Sequence, residues 1–132
     1  MVLDTSAVMA ILQNEPERRR FNEAIEAAET RSLSTASFVE CSMIVESRYG
    51  ADGVRDLDLF IAKAQVSLVS VDEDQANLAR RAFQKFGKER HPAGLKFGDC
   101  FSYALSRSLD RPLLFKGNDF SQTDVDCHPA SC

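Results

Sequence analysis

No stretch of about 18 apolar residues occurs anywhere in this chain of 132 residues, so no segment is expected to span a membrane. The first residues lack a basic stretch followed by an apolar one, so a secretory signal is not expected and the cytoplasm is the expected compartment. The four cysteines, Cys41, Cys100, Cys127 and Cys132, form no CxxC pair, which leaves free thiols as the expectation. Cys127 and Cys132 flank His128, but no fourth zinc ligand accompanies them, and a frayed tail is expected there. Positive charge is not in excess either: the formal net charge of −4 argues against broad, unspecific affinity for nucleic acid. Repeats, linkers and low-complexity tracts are also missing, and the length suits one domain over residues 1–132.

What is present is alternation. Met1 to Leu3 reads as a short buried strand, and Glu15-Pro16 as a break before a helix from about Glu17 to Ala28. Ser34 or Thr35 caps a helix to about Tyr49, which Gly50 ends, and a further helix covers roughly Asp52 to Ala64. Val66 to Val71 is β-branched and short, hence a strand, and Asp72 or Asp74 caps a helix to about Phe86. A helix from Gly98-Asp99 to about Leu109 precedes a buried strand, Pro112 to Phe115, and an edge strand over Asp124 to Cys127. Strands alternating with helices predict an α/β fold, a short, mainly parallel sheet flanked by helices. In such sheets, sites form beyond the carboxyl ends of the strands. Asp4 ends the first strand, so it belongs to that rim.

Three further acids draw attention. Glu40 has Ala36, Ser37, Met43 and Ile44 as helical neighbours, so it lies on or beside an inward stripe, where an acid needs a partner. Asp99 opens its helix, where an aspartate also serves as a cap. Asp119 follows the apolar strand PLLF in a tight turn. Carboxylates gathered without a cation repel one another, and a divalent ion removes that penalty. Oxygen ligands without histidine or cysteine select magnesium or manganese over zinc. Positive charge is concentrated between Arg80 and Gly98, where Arg80, Arg81, Lys85, Lys88, Arg90 and Lys96 stand against Glu89. The first half of that stretch reads as a solvated helix face. GKERHPAG, with aromatics on either side, reads as a mobile basic loop of the kind that carries binding residues.

VLDTSA, STASFVE, GKERHPAGLKFGDCFSYALS and PLLFKGNDF together resemble the PIN-domain ribonucleases, more narrowly the VapC-type toxins of bacterial toxin–antitoxin pairs. The resemblance runs through nearly the whole chain. It implies a PIN-like α/β/α sandwich and a metal-dependent endoribonuclease whose acids Asp4, Glu40, Asp99 and Asp119 bind Mg2+ or Mn2+. It departs from the family at one point: many relatives carry a Thr-x-Asp turn that would put the last acid near Gly117, whereas Asp119 arrives two residues later, with Asp124 as the fallback.

The resemblance further implies an RNA substrate, silencing by a cognate VapB-type antitoxin, a homodimer and a higher toxin–antitoxin assembly. Within that frame Ser6 is expected to hydrogen-bond Asp4 or a water on the metal, and Thr5 to cap the loop. Lys88, Arg90, His91, Lys96 and Lys116 are expected to meet phosphates, with Phe86 and Phe97 available to stack on bases. Ser6 stands where a haloacid-dehalogenase-type phosphatase needs a second acid, and a receiver-like switch would need adjacent acids before the first strand's aspartate, which the chain lacks. The remaining alternative is a catalytically silent PIN-like module that binds RNA or protein.

Overall fold

A computed structural model describes all 132 residues. The chain forms β1 (Val2–Leu3), α1 (Thr5–Leu12), α2 (Arg18–Ala27), β2 (Ser32–Ser34), α3 (Thr35–Lys63), β3 (Ser67–Val69), α4 (Glu73–Phe86), α5 (Phe97–Leu109) and β4 (Leu113–Leu114). Short 3-10 turns follow at Phe120–Gln122 and Pro129–Ser131. The strands make one parallel sheet in the order β3-β2-β1-β4. No helix is long and apolar enough to cross a membrane.

Side chains alternate across this sheet as strand geometry demands. Val2 and its register partner Leu113 enter the core shared with α4 and α5, while Leu3 and Leu114 enter the one shared with α1, α2 and α3. Helices therefore cover both faces, as the parallel alternation predicted. Two elements are additions to the sequence reading. Helix α1, TSAVMAIL, buries Thr5 and every residue from Ala7 to Ile11, so it lacks the polar face that betrays a surface helix. Strand β2, SLS, has no β-branched residue.

Other boundaries shift. Helix α3 contains the expected break at Gly50, whose φ of 64° lies in the left-handed region, before the chain resumes its helical course to Lys63. The strand expected over 66–71 is confined to an exposed edge, Ser67–Val69. The edge strand expected over 124–127 is reduced to a single bridge between Leu113 and Cys127. The tail is not frayed: His128 N donates to Leu113 O at 2.9 Å, Phe115 N to Ser131 Oγ at 2.8 Å, and Arg20 Nε to Ala130 O at 2.7 Å. The basic loop is likewise pinned, because Lys88 N donates to Leu95 O and Leu95 N to Phe86 O, both at 2.9 Å, with Ala93 and Leu95 buried beneath it.

From β1 the chain steps to β2 and β3 on one side, then crosses back to place β4 on the other. The crevice between the carboxyl ends of β1 and β4 is thus the topological switch point, where open parallel sheets present ligand sites.

Candidate active site

Asp4 occupies that crevice. It is 3 % exposed and enters no ion pair. Its Oδ2 accepts from Ser6 N at 3.0 Å, capping α1, and from Ser6 Oγ at 2.6 Å, as the sequence predicted for Ser6. Its Oδ1 accepts from Ser102 Oγ at 2.6 Å, a donor 98 positions away that the sequence did not reveal. Burial pushes the Asp4 carboxyl above its ordinary range, and the hydrogen bonds from Ser102 and Ser6 oppose that rise. Ser6 Oγ also accepts from Lys116 N at 3.0 Å, tying the loop after β4 to the same carboxylate.

Glu40 approaches from α3. The partner it needs is Thr5, whose Oγ1 donates to Glu40 Oε1 at 2.5 Å. The expectation that Thr5 merely caps the loop is therefore corrected. The Glu40 carboxylate also lies over Gly98: a Cβ there would come within 2.7 Å of its Oε1 and Cδ, and closer still to Oε2. Asp99, next along α5, accepts from Lys96 N through Oδ2 at 2.9 Å, so it caps its helix and faces the other acids as well. Burial, together with the charges of Asp4, Asp119 and Glu40, pushes its carboxyl up to about 6, against the pull of the Lys96 amide.

Asp4, Thr5, Ser6, Glu40 and Asp99 line a cleft of about 480 Å³ with Glu15, Arg48 and Lys116 among its other walls. A larger cavity of about 680 Å³ opens between α1, α2 and the second half of α3, but it holds none of the predicted acids. The acids surround their cleft without closing on a common point, since no three Asp, Glu, His or Cys side chains reach metal-holding distance. The donor set nonetheless fits a hard divalent cation: beside Arg48 and Lys116, the ionisable lining groups are carboxylates, with no imidazole or thiolate, and the repulsion among Asp4, Glu40 and Asp99 is what a cation relieves.

Asp119 stands exposed at the start of the 3-10 turn and caps nothing; it lies outside the cleft lining, although its charge reaches Asp99. The fallback, Asp124, is held elsewhere by the Tyr103 hydroxyl at 2.5 Å, Arg107 at 3.3 Å and Lys85 at 3.7 Å. Lys116 reaches the cleft but is clasped by Glu15 and, at 3.4 Å, by Glu17. Lys88, Arg90 and Lys96 are exposed outside the cleft lining; Arg90 stacks on Phe83 at 5.1 Å, and His91 Nδ1 accepts from Ala93 N at 3.0 Å. Phe86 is a core residue, whereas Phe97 is 79 % exposed. Arg48, at helical spacing of two turns from Glu40, is the cation of the cleft that no carboxylate engages. Its spacing was legible in the sequence; its place on the wall was not.

Comparison with known proteins identifies the family and the fold. Residues 1–126 match the profile of the PIN domain. Ribonuclease VapC30 of Mycobacterium tuberculosis is 51% identical over 125 residues, covering 95% of each chain. The solved structure of Mycobacterium tuberculosis VapC20, described as a Sarcin-Ricin loop cleaving toxin, matches with a TM-score of 0.76 at 16% identity, over 94% of this chain and 95% of that one. A toxin–antitoxin complex from Klebsiella pneumoniae matches with a TM-score of 0.71 at 17% identity, over 97% and 96% of the two chains. The chain belongs to the PIN domain family and, within it, to the VapC ribonucleases.

Proposed function

We propose that this chain is a toxin that hydrolyses RNA phosphodiester bonds at the cleft between β1 and β4, with Asp4, Glu40 and Asp99 holding Mg2+ or Mn2+ and Asp119 completing the site from the exposed turn. The observation that carries this reading is the gathering of Asp4, Glu40 and Asp99 around one cleft, with no cation paired to any of them. Held by Asp4, Glu40 and Asp99, a divalent ion would supply Lewis-acid chemistry: polarising a phosphoryl oxygen and lowering the pKa of an attacking water. The protein's own part is positional. Ser6 orients Asp4, Thr5 orients Glu40, and the Lys96 amide orients Asp99. Arg48 takes a substrate phosphate beside the reacting one: eight residues beyond Glu40, it stands about 12 Å further along the helix axis. Lys88, Arg90, His91 and Lys96 contact phosphates further out, and Lys116 joins them on exchanging Glu15 and Glu17 for the substrate. The toxin acts in the cytoplasm as a homodimer, and a VapB-type antitoxin silences it within a larger assembly. The Klebsiella toxin–antitoxin complex of similar fold supports that pairing.

Purified protein is expected to cleave RNA with Mg2+ or Mn2+, to lose cleavage in EDTA, and to lose it in Asp4→Asn while keeping its fold by circular dichroism. Cleavage retained by pure Asp4→Asn protein overturns the assignment, and RNA binding without any cleavage identifies the silent binding module instead. Affinity for single-stranded RNA is expected to fall with log[salt] at a slope of about 0.7 per phosphate contact, and a flat response removes the basic residues from the account.

A further inference from the structure

The interior behind the acid cleft contains two hydroxyls that the proposed chemistry does not use directly. Ser102 is fully buried on α5, one turn after Asp99 and on the same helical face. Ser37 is 1 % exposed on α3, one turn before Cys41. Their Oγ atoms lie 3.3 Å apart. A hydroxyl has one proton to donate and two lone pairs to accept with. The Ser102 proton is committed to Asp4 Oδ1 at 2.6 Å, so the proton between the serines belongs to Ser37. The chain of donors therefore runs Ser37 to Ser102 to Asp4, with a carboxylate at its end. Donors in series polarise one another, which strengthens the last bond.

Packing alone does not account for this arrangement. A buried hydroxyl costs free energy unless it is bonded, and an alanine at either position would present no polar atom to satisfy. The bond also differs from that of Ser6, which sits within the same turn as Asp4 and follows it wherever it moves. Ser102 reaches Asp4 from another helix, the one that carries Asp99. It therefore fixes one acid relative to the other.

We infer that Ser102, oriented by Ser37, is a positioning residue that sets the direction of Asp4 Oδ1 relative to Asp99 for binding a divalent cation. This rests on the metal reading above. The test is Mn2+ binding without RNA, followed by electron paramagnetic resonance of the free ion, in the wild-type chain and in Ser102→Ala, Ser102→Thr and Ser37→Ala. Loss of a hydrogen bond to a metal-binding carboxylate weakens affinity about 10- to 100-fold, and that loss is expected for Ser102→Ala. Ser102→Thr, which keeps the donor, is expected to restore most of it. Ser37→Ala is expected to fall between Ser102→Ala and wild type. The metal-dependence of cleavage should shift in parallel, with a higher Mn2+ requirement and a recoverable maximal rate at saturating ion.

Wild-type Mn2+ affinity in a folded Ser102→Ala chain overturns the role of Ser102 while leaving the metal reading standing. Absence of Mn2+ binding by the wild-type chain overturns both. Should Ser102→Ala not fold, Ser102→Cys retains the volume with a weak donor and is held to the same criterion.

Discussion

Asp4 and Asp124 are two carboxylates placed in opposite circumstances. Asp124 lies at the surface beside α4 and α5, where Tyr103, Arg107 and Lys85 engage it. Partial burial pushes its pKa up, but the Tyr103 hydrogen bond and the Arg107 and Lys85 charges outweigh it and hold the group low. Asp4 is almost completely buried, has no cation beside it, and is served only by hydroxyls and an amide. Tyr103, facing Asp124, is itself pushed up to about 12, chiefly by burial. The charge of Asp124 is balanced within the fold, and that of Asp4 is not. A carboxylate with its own internal cations contributes to structure; one held rigid by neutral donors is ready for a cation from outside.

The comparison breaks most severely at the open acids. Asp99→Asn should lower metal-dependent cleavage by about 10³-fold or more, read from initial rates. The same variant tests the electrostatics. Asp99 titrates at about 6 in the folded chain against an ordinary 3.8, so folding favours its protonated form. Stability of the metal-free protein should therefore be greatest below about pH 4 as far as this group is concerned, and fall as pH rises towards 6. Thermal melts in EDTA across that window should show the decline, and Asp99→Asn or added Mn2+ should flatten it.

Gly98→Ala sharpens the contrast between position and stability. The new methyl displaces the Glu40 carboxylate while favouring the helix, so cleavage should fall by about 10²-fold with the melting temperature held or raised. Thr5→Val, which removes the donor to Glu40, should cost about 10-fold in the same assay. Asp124→Asn should have the smallest catalytic effect: unchanged cleavage, with stability lower by about 1 kcal/mol in a denaturant titration and less so in high salt.

Much of this arrangement was legible beforehand, for local reasons. A strand of three apolar residues ending in an acid places that acid at the rim of a parallel sheet, and the position of Asp4 follows. Glu40 on an inward stripe announced that it needed a partner. The partner itself was hidden because Thr5 sits in a helix with no polar face, which periodicity does not detect. Ser102 was hidden for a different reason: at its distance along the chain, only the packing of α5 against β1 brings it to Asp4. Lys116 looked free in its own turn because Glu15, which clasps it, lies 101 positions away. The basic loop looked mobile from its glycines and proline, yet the buried Ala93 and Leu95 and the backbone bonds across its neck hold it down.

The pairing of β1 with β4 joins two segments that lie far apart along the chain. During synthesis, Asp4 leaves the ribosome long before Leu113 and Leu114 can lie beside its strand. The wall of the cleft formed by Lys116 and Gly117 arrives later still. The cleft is therefore complete only once β4 and the turn after it have emerged and docked against β1, so whatever the cleft does waits for the whole sheet to form.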